Sequence, residues 1–294
     1  MSDMKTIKAE VAMTSGVRAV LTRLAKDPMG LIGLVIVTSF VVIALFADIL
    51  APYDPIKIDI MNKLQDPSPA HWFGTDQLGR DTLSRLVHGA QVALMVAVSS
   101  IGIAVVIGSI LGAIAGYGPS WLDFIIMLLF DTIRSYPVIM FALAVVVIFG
   151  PSLTTIIAII IATSFPTYGR LMRTQTQTLR NAEYVLSARA LGISTPVILM
   201  RHILPNTIGP ILIVASMDVP FVISVEAGLS FLGLGVRPPT PSWGSILNDG
   251  FTYIRNSPWI LFSAGAPLIL VTIGFTFLGE QLRDILDPKL GRGR

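Results

Sequence analysis

The sequence predicts an all-α integral membrane protein with six transmembrane helices, and three observations carry that reading. Charged residues make up 13% of the 294-residue chain and apolar residues 53%, whereas soluble domains are about 25% charged. Uncharged runs long enough to cross a hydrocarbon layer of about 30 Å recur along the chain. The basic residues are also shared unequally between the connections that those runs define, as a fixed orientation requires. A net charge of +3 therefore reports topology, and no basic patch with interleaved aromatic residues points to nucleic acid. The absence of cysteine excludes disulfides, thiolate metal sites and cysteine nucleophiles.

The first run, 29–47, follows Lys5, Lys8, Arg18, Arg23 and Lys26. It exceeds the apolar core of a signal peptide and no A-x-A site follows, so it reads as an uncleaved first helix. The second run, 92–115, is uncharged, and Gly108, Gly112 and Gly116 recur at four-residue spacing. That spacing puts the three glycines on one helix face, where another backbone can approach closely. The uncharged stretch 135–169 is 35 residues long and is broken by Gly150-Pro151, a turn signal, so it holds parts of two helices. Its first part is too short to cross alone, and the third helix is expected to reach back past Arg134 and Asp131 toward Trp121. The fifth helix is expected to follow Pro205 and run to Leu232 with Asp218 and Glu226 inside it; the sixth covers 259–279.

Six crossings put both termini on one side. Fifteen of the 21 Lys and Arg then fall on inner segments, so the positive-inside rule makes both ends cytoplasmic. The division expected is a cytoplasmic segment 1–28, a first helix with its outer loop 29–88, a core domain 89–284 and a cytoplasmic tail 285–294. The Pro- and Asp-rich outer loop makes the first helix look like an appendage.

The long inner loop between the fourth and fifth helices is the most informative segment. Asn181 can cap a helix, Glu183 suits its first turn, and Gly192 ends it. Thr195 can cap again with Pro196 at the first helical position, and Leu204-Pro205 stops the second helix. Tyr184, Ala188 and Leu191 form a small apolar stripe on the first. A helix of about ten residues is marginal alone. It therefore needs a surface to pack against, either the bilayer interface or a cytoplasmic partner.

Here a family resemblance enters. Leu186-Ser-Ala-Arg-Ala-Leu-Gly192 followed by Ile203-Leu-Pro205 resembles the EAA loop of bacterial ATP-binding cassette importer permeases. Ala188, Gly192, Leu204 and Pro205 match; Leu186 and Ser187 stand where Glu and Ala are usual, and His202 occupies an apolar position. His71-Trp-Phe-Gly-Thr-Asp-Gln-Leu-Gly-Arg-Asp81, Ala115-Gly-Tyr117, Leu229-Ser-Phe-Leu-Gly-Leu-Gly235, the run 238–244 and 282–288 are similar to the second permease subunit of dipeptide, oligopeptide and nickel importers. The resemblance covers about 26–289. It implies a type I importer bundle in the bacterial inner membrane, with Glu183, Ala188, Gly192, Leu204 and Pro205 coupling to ATPase subunits. It also implies a homologous second permease, one or two cytoplasmic ATPases and an extracytoplasmic solute-binding protein. Dipeptide, oligopeptide, glutathione, nickel-chelate and opine-like solutes all remain open.

No phosphate-loop, H-E-x-x-H or strand-associated G-x-G-x-x-G pattern is present, so ATP belongs on partner subunits and the chain is expected to bind no cofactor or metal and to catalyse no reaction. An alternative is a proton-coupled secondary transporter, because intramembrane carboxylates such as Asp218 and Glu226 often relay protons. An intramembrane serine protease using Ser230 is not favoured: His202 lies 28 residues away on the same helix, roughly 42 Å, and His71 and His88, in or near the outer loop, could reach but bring no third orienting group. Asp218 and Glu226 are expected to avoid lipid and to line a translocation pathway. Asp131 and Arg134, three residues apart, are expected to pair with each other or with a neighbouring helix.

Overall fold

A computed structural model describes Thr22, Leu24, Ala25 and residues 27–286. The terminal basic residues used for orientation, Lys5, Lys8, Arg18, Arg23, Lys26, Lys289, Arg292 and Arg294, lie outside them, as do most of the two expected cytoplasmic tails. Helix α1 (Pro28–Leu45) begins where sequence chemistry puts it. Asp27 accepts hydrogen bonds from the amides of Met29 and Gly30 at 2.9 and 3.1 Å, and Pro28 occupies the first turn, where its missing N–H costs nothing. A short turn, α2 (Ala47–Leu50), follows.

Helix α3 (Thr82–Tyr117) starts ten residues before its uncharged run. Asp81 caps it, accepting from the Ser84 amide at 2.8 Å and the Ser84 hydroxyl at 2.7 Å. At 36 residues it is roughly 54 Å long, so its charged first turns rise beyond the hydrocarbon. Helix α6 (Leu153–Leu179) likewise continues past Arg170 and Arg173. Hydropathy marks where the membrane ends, and the caps mark where the helices end.

The third crossing departs from expectation. In place of one continuous helix there are two, α4 (Ser120–Arg134) and α5 (Val138–Phe149), bent by 88° at the break. Pro137 is the reason: it lacks an N–H and drives the preceding residue out of the helical region.

The loop helices also differ from their sequence reading. Helix α7 (Glu183–Ala190) is preceded by Ala182, and no side chain caps it, so Asn181 is not its cap. Helix α8 (Thr195–Ile198) does not stop at Leu204-Pro205. It runs through a π-helical turn, Leu199–Ile203, straight into α9 (Leu204–Phe231). A widened turn removes the clash that a proline ring makes with the carbonyl four residues earlier, which is how Pro205 sits in a continuous helical path. Helices α10 (Trp243–Thr252) and α11 (Trp259–Leu286) complete the chain.

Among the described residues, five helical segments are long and apolar enough to cross a membrane, and the bent α4–α5 pair, taken as one span, makes a sixth. No strand forms among the described residues; an isolated bridge joins Thr75 and Asp81. The core centres on α3 against α6, and the glycine stripe makes it possible. A Cβ on Gly108, Gly112 or Gly116 would stand 2.4 Å from the Phe165 carbonyl oxygen, 2.2 Å from that of Gly169, or 2.7 Å from that of Arg173. In lipid, where apolar transfer drives no association, such backbone contact supplies the attraction. Helix α1 is integrated into the bundle: its Gly33 meets the Leu278 amide of α11, and Gly274 of α11 meets its Ile36. Phe40 also reaches Trp243 and Phe275 with ring centroids 5.7 and 6.1 Å apart.

Candidate functional site

The loop between α6 and α9 is held by its own side chains at one face and presents the other. Val185, Ala188, Ile198 and Ile203 are buried, so α7 docks on the chain through residues three apart. The expected stripe is rotated: Ala188 points inward, whereas Tyr184 is exposed and Leu191 is 81% exposed. Gly192 ends α7 with φ of +76°. Its amide bonds the Arg189 carbonyl at 2.9 Å, and the Ile193 amide bonds that of Ala188 at 3.1 Å, the paired bonds of a Schellman terminus. A Cβ at Gly192 would meet nothing within 4 Å. Glu183 is exposed in the first turn of α7, Leu204 is partly buried and Pro205 is exposed at the start of α9. The surface of α7 that faces away from the chain thus carries Tyr184, Leu186 and Leu191 beside an open glycine turn. The base of the loop is tied to α3, because Arg180 donates to the Gly116 carbonyl at 3.1 Å.

Asp131 and Arg134 do not pair with each other. Arg170 of α6 donates to Asp131, and Arg134 donates to the Thr167 hydroxyl of α6 at 2.9 Å. One turn along, Arg173 grips Asp123 at 2.5 and 2.6 Å. Both carboxylates lie on α4 and both ion-paired arginines on α6, so of the two expected arrangements Asp131 and Arg134 take the one with a neighbouring helix.

Asp218 and Glu226 occupy different settings. Tyr168, itself fully buried, donates its phenol to Asp218 at 2.7 Å. Asp218 also lines a cavity of about 360 Å³ with Arg134, Tyr136, Thr163, Ser164 and Thr167. Glu226 is 1% exposed and accepts from Ser230, one turn on, at 2.7 Å. Ser230 is in turn crowded by Gly235, where a Cβ would fall 2.0 Å from its hydroxyl. Its proton is committed to Glu226, with no histidine beside it, which leaves the protease reading without a base. Gly233 closes α9 with the same pair of bonds as Gly192, its amide to Ser230 and that of Leu234 to Leu229.

A third cluster lies in and just after the 71–81 motif, whose ion pairs that resemblance did not specify. Asp76 is 0% exposed and sits between Arg80 at 2.6 Å and Arg85 at 2.5 Å. Arg85 also reaches Asp249 of α10 at 3.1 Å. Trp243 donates its indole N–H to the Leu86 carbonyl at 2.9 Å, over Gly89. The loop that precedes α3, α3 itself and α10 are thereby fastened together.

Comparison with known proteins decides the family. Residues 108–292 match the model of the binding-protein-dependent transport system inner membrane component. The chain belongs to that family. Residues 15–67 match the N-terminal TM domain of oligopeptide transport permease C. The dipeptide transport system permease protein DppC of Alkalihalophilus pseudofirmus is 40% identical over 93% of this chain and 90% of its own length. The glutathione transport system permease protein GsiD of Pectobacterium atrosepticum is 38% identical over 86% of this chain and 85% of its own. The oligopeptide transport system permease protein OppC of Bacillus subtilis is 36% identical over 91% and 88%. The fold is that of a permease chain in an inward-facing structure of the MetNI methionine ABC transporter, with a TM-score of 0.54 at 17% identity over 69% of this chain and 97% of that one. The protein is a multi-pass inner-membrane permease subunit of an ATP-binding cassette importer. That membership does not favour the proton-coupled alternative, and a permease of this kind is a transport subunit, not an enzyme in itself.

Proposed function

We propose that this permease imports di- or oligopeptides, delivered by an extracytoplasmic binding protein and driven by one or two cytoplasmic ATPase subunits that dock on the α6–α9 loop. A homologous second permease completes the pathway, and both termini face the cytoplasm. The relatives named for peptide, dipeptide and glutathione transport support the solute class. The observation that carries the coupling role is the geometry of α7. It is anchored inward by Val185 and Ala188, leaves Tyr184, Leu186 and Leu191 outward, and ends in an open left-handed glycine. A rigid, partly apolar peg of this kind fits a groove on a partner and transmits its movement to α6 and α9, the two helices it joins. Glu183 and Ala188 set the start and the seat of the peg, Gly192 its end, and Leu204 and Pro205 its junction with α9. Asp218, and Glu226 nearer the outer end, supply negative charge along the solute path.

The experiment is a pair of substitutions at Gly192 in the reconstituted importer. Gly192→Asn tolerates the left-handed backbone, which costs other residues about 1–2 kcal/mol, and retains import. Gly192→Trp inserts and assembles normally, yet ATP hydrolysis no longer drives uptake, because its ring stands where the partner groove must close. Normal ATP-driven import by Gly192→Trp would show that α7 is not the coupling peg.

A further inference from the structure

The cavity at the break between α4 and α5 carries an unusual charge arrangement. Of the basic residues around it, Arg170 is neutralised by Asp131 and Arg173 by Asp123. Arg134 forms no salt bridge among the described residues; its guanidinium is held by the Thr167 hydroxyl. Asp218 likewise forms none; its carboxylate takes one hydrogen bond, from Tyr168, and Arg134 is the cation that acts on it from a distance. Both line the same cavity of about 360 Å³. Opposite charges attract across such a gap, more strongly where water is excluded. Here each is tethered to α6, by Thr167 and by Tyr168, in adjacent positions on that helix, and the space between them is kept open.

We propose that this cavity is a transient solute subsite for a zwitterion, with the ammonium end of the solute against Asp218 and the carboxylate end against Arg134. The proposal rests on the importer reading and names where, along the path, the solute is held. The volume falls within the range of about 300–1,000 Å³ usual for small-molecule pockets. Thr163 and Ser164 line the remaining wall with hydroxyls that can exchange bonds with a peptide backbone, and Phe221 contributes apolar surface. The first turn of α5, which no side chain caps, begins at this wall with Val138. Discontinuous membrane helices commonly build solute sites of this type at mid-path. Charge is costly within a membrane and marks a solute path or a proton relay. A site that is dipolar, not simply acidic, selects for a solute carrying both charges.

The chain contains no cysteine, so a single introduced thiol reports this cavity cleanly. In the assembled importer, Ser164→Cys is expected to react with a water-soluble methanethiosulfonate, and excess dialanine to slow that reaction about tenfold, because labelling reports the unoccupied fraction. N-acetyl-dialanine amide, which lacks both charges, gives no protection, and neither peptide protects once Arg134→Gln or Asp218→Asn is added. Thr163→Cys serves as the second reporter should Ser164→Cys fail to assemble. Equal protection by the two peptides, or no reaction of either thiol, overturns the proposal. ATP-driven uptake of dialanine by the unmodified importer tests the parent reading separately. Loss there with charge-dependent protection intact would remove the peptide as transported solute and retain the zwitterion site.

Discussion

Ser230 shows how much a single hydroxyl can hold in a membrane protein. It donates to a carboxylate that is 1% exposed, it is itself buried, and Gly235 and Gly244 pack against it so closely that a Cβ on either would overlap it. Removing one partner of a buried hydrogen bond costs the desolvation of the group left behind, about 1–3 kcal/mol. Ser230→Ala is therefore expected to lower the thermal unfolding midpoint of the detergent-solubilised protein. Ser224→Ala is the control, since Ser224 is exposed and donates only to the Pro220 carbonyl of its own helix; it should leave stability within about 0.5 kcal/mol. Equal shifts in the two variants would mean that Glu226 does not depend on Ser230. The i, i+4 spacing of these two residues was visible in the sequence, whereas the glycines that seal them could be assigned only once α9 and α10 were packed together.

At the scale of elements, the legible features were those set by local chemistry. The four-residue glycine stripe and Gly192 carry their geometry in a few adjacent residues, and each does what its residue type dictates. Less legible were features decided by neighbours. The 88° break at Pro137 was masked by the demand for a span of ordinary length, and the continuity through Pro205 by a rule that treats proline as a stop. The spacing of Asp131 and Arg134 allowed a bond to each other or to a neighbouring helix, and the choice is made by Arg170 and Thr167, more than 30 residues along the chain. The glycine stripe yields a sharp test. Gly112→Ala places a methyl 2.2 Å from the Gly169 carbonyl oxygen, so α3 must move away from α6; overpacking of this kind costs about 1–3 kcal/mol. Gly102, on the same helix, has nothing within 4 Å of its Cβ direction, and alanine there improves helix propensity by about 1 kcal/mol. The two substitutions should move the unfolding midpoint in opposite directions. If Gly112→Ala is neutral, the two backbones are not in contact in the membrane.

Across the whole molecule, the two faces are organised differently. The α6–α9 loop presents exposed side chains around an open turn, as a surface built to meet a partner does. The opposite end is closed by buried charge: Asp76 holds Arg80 and Arg85, Arg85 reaches Asp249, and Trp243 is bonded to α3. This cap joins the loop that precedes α3 to α3 and α10, and α10 packs on α9 and α11, so a force applied at the α6–α9 loop has a stiff frame to act against. Asp76 is the keystone, since it is fully buried and bonded to both arginines, whereas Asp249 is partly exposed and adds a second contact to Arg85. Removing one member of a buried ion pair leaves an uncompensated charge and costs about 3–5 kcal/mol, while a partly exposed contact is worth about 0–1 kcal/mol. Asp76→Asn should therefore reduce folded protein in the membrane sharply, and Asp249→Asn should leave yield near normal. Fluorescence-detected gel filtration of the two variants, expressed with the partner subunits, makes the comparison. If Asp76→Asn accumulates as a monodisperse complex at the level of Asp249→Asn, the two arginines are satisfied without it and the cap is held by the packing of Trp243 on α3.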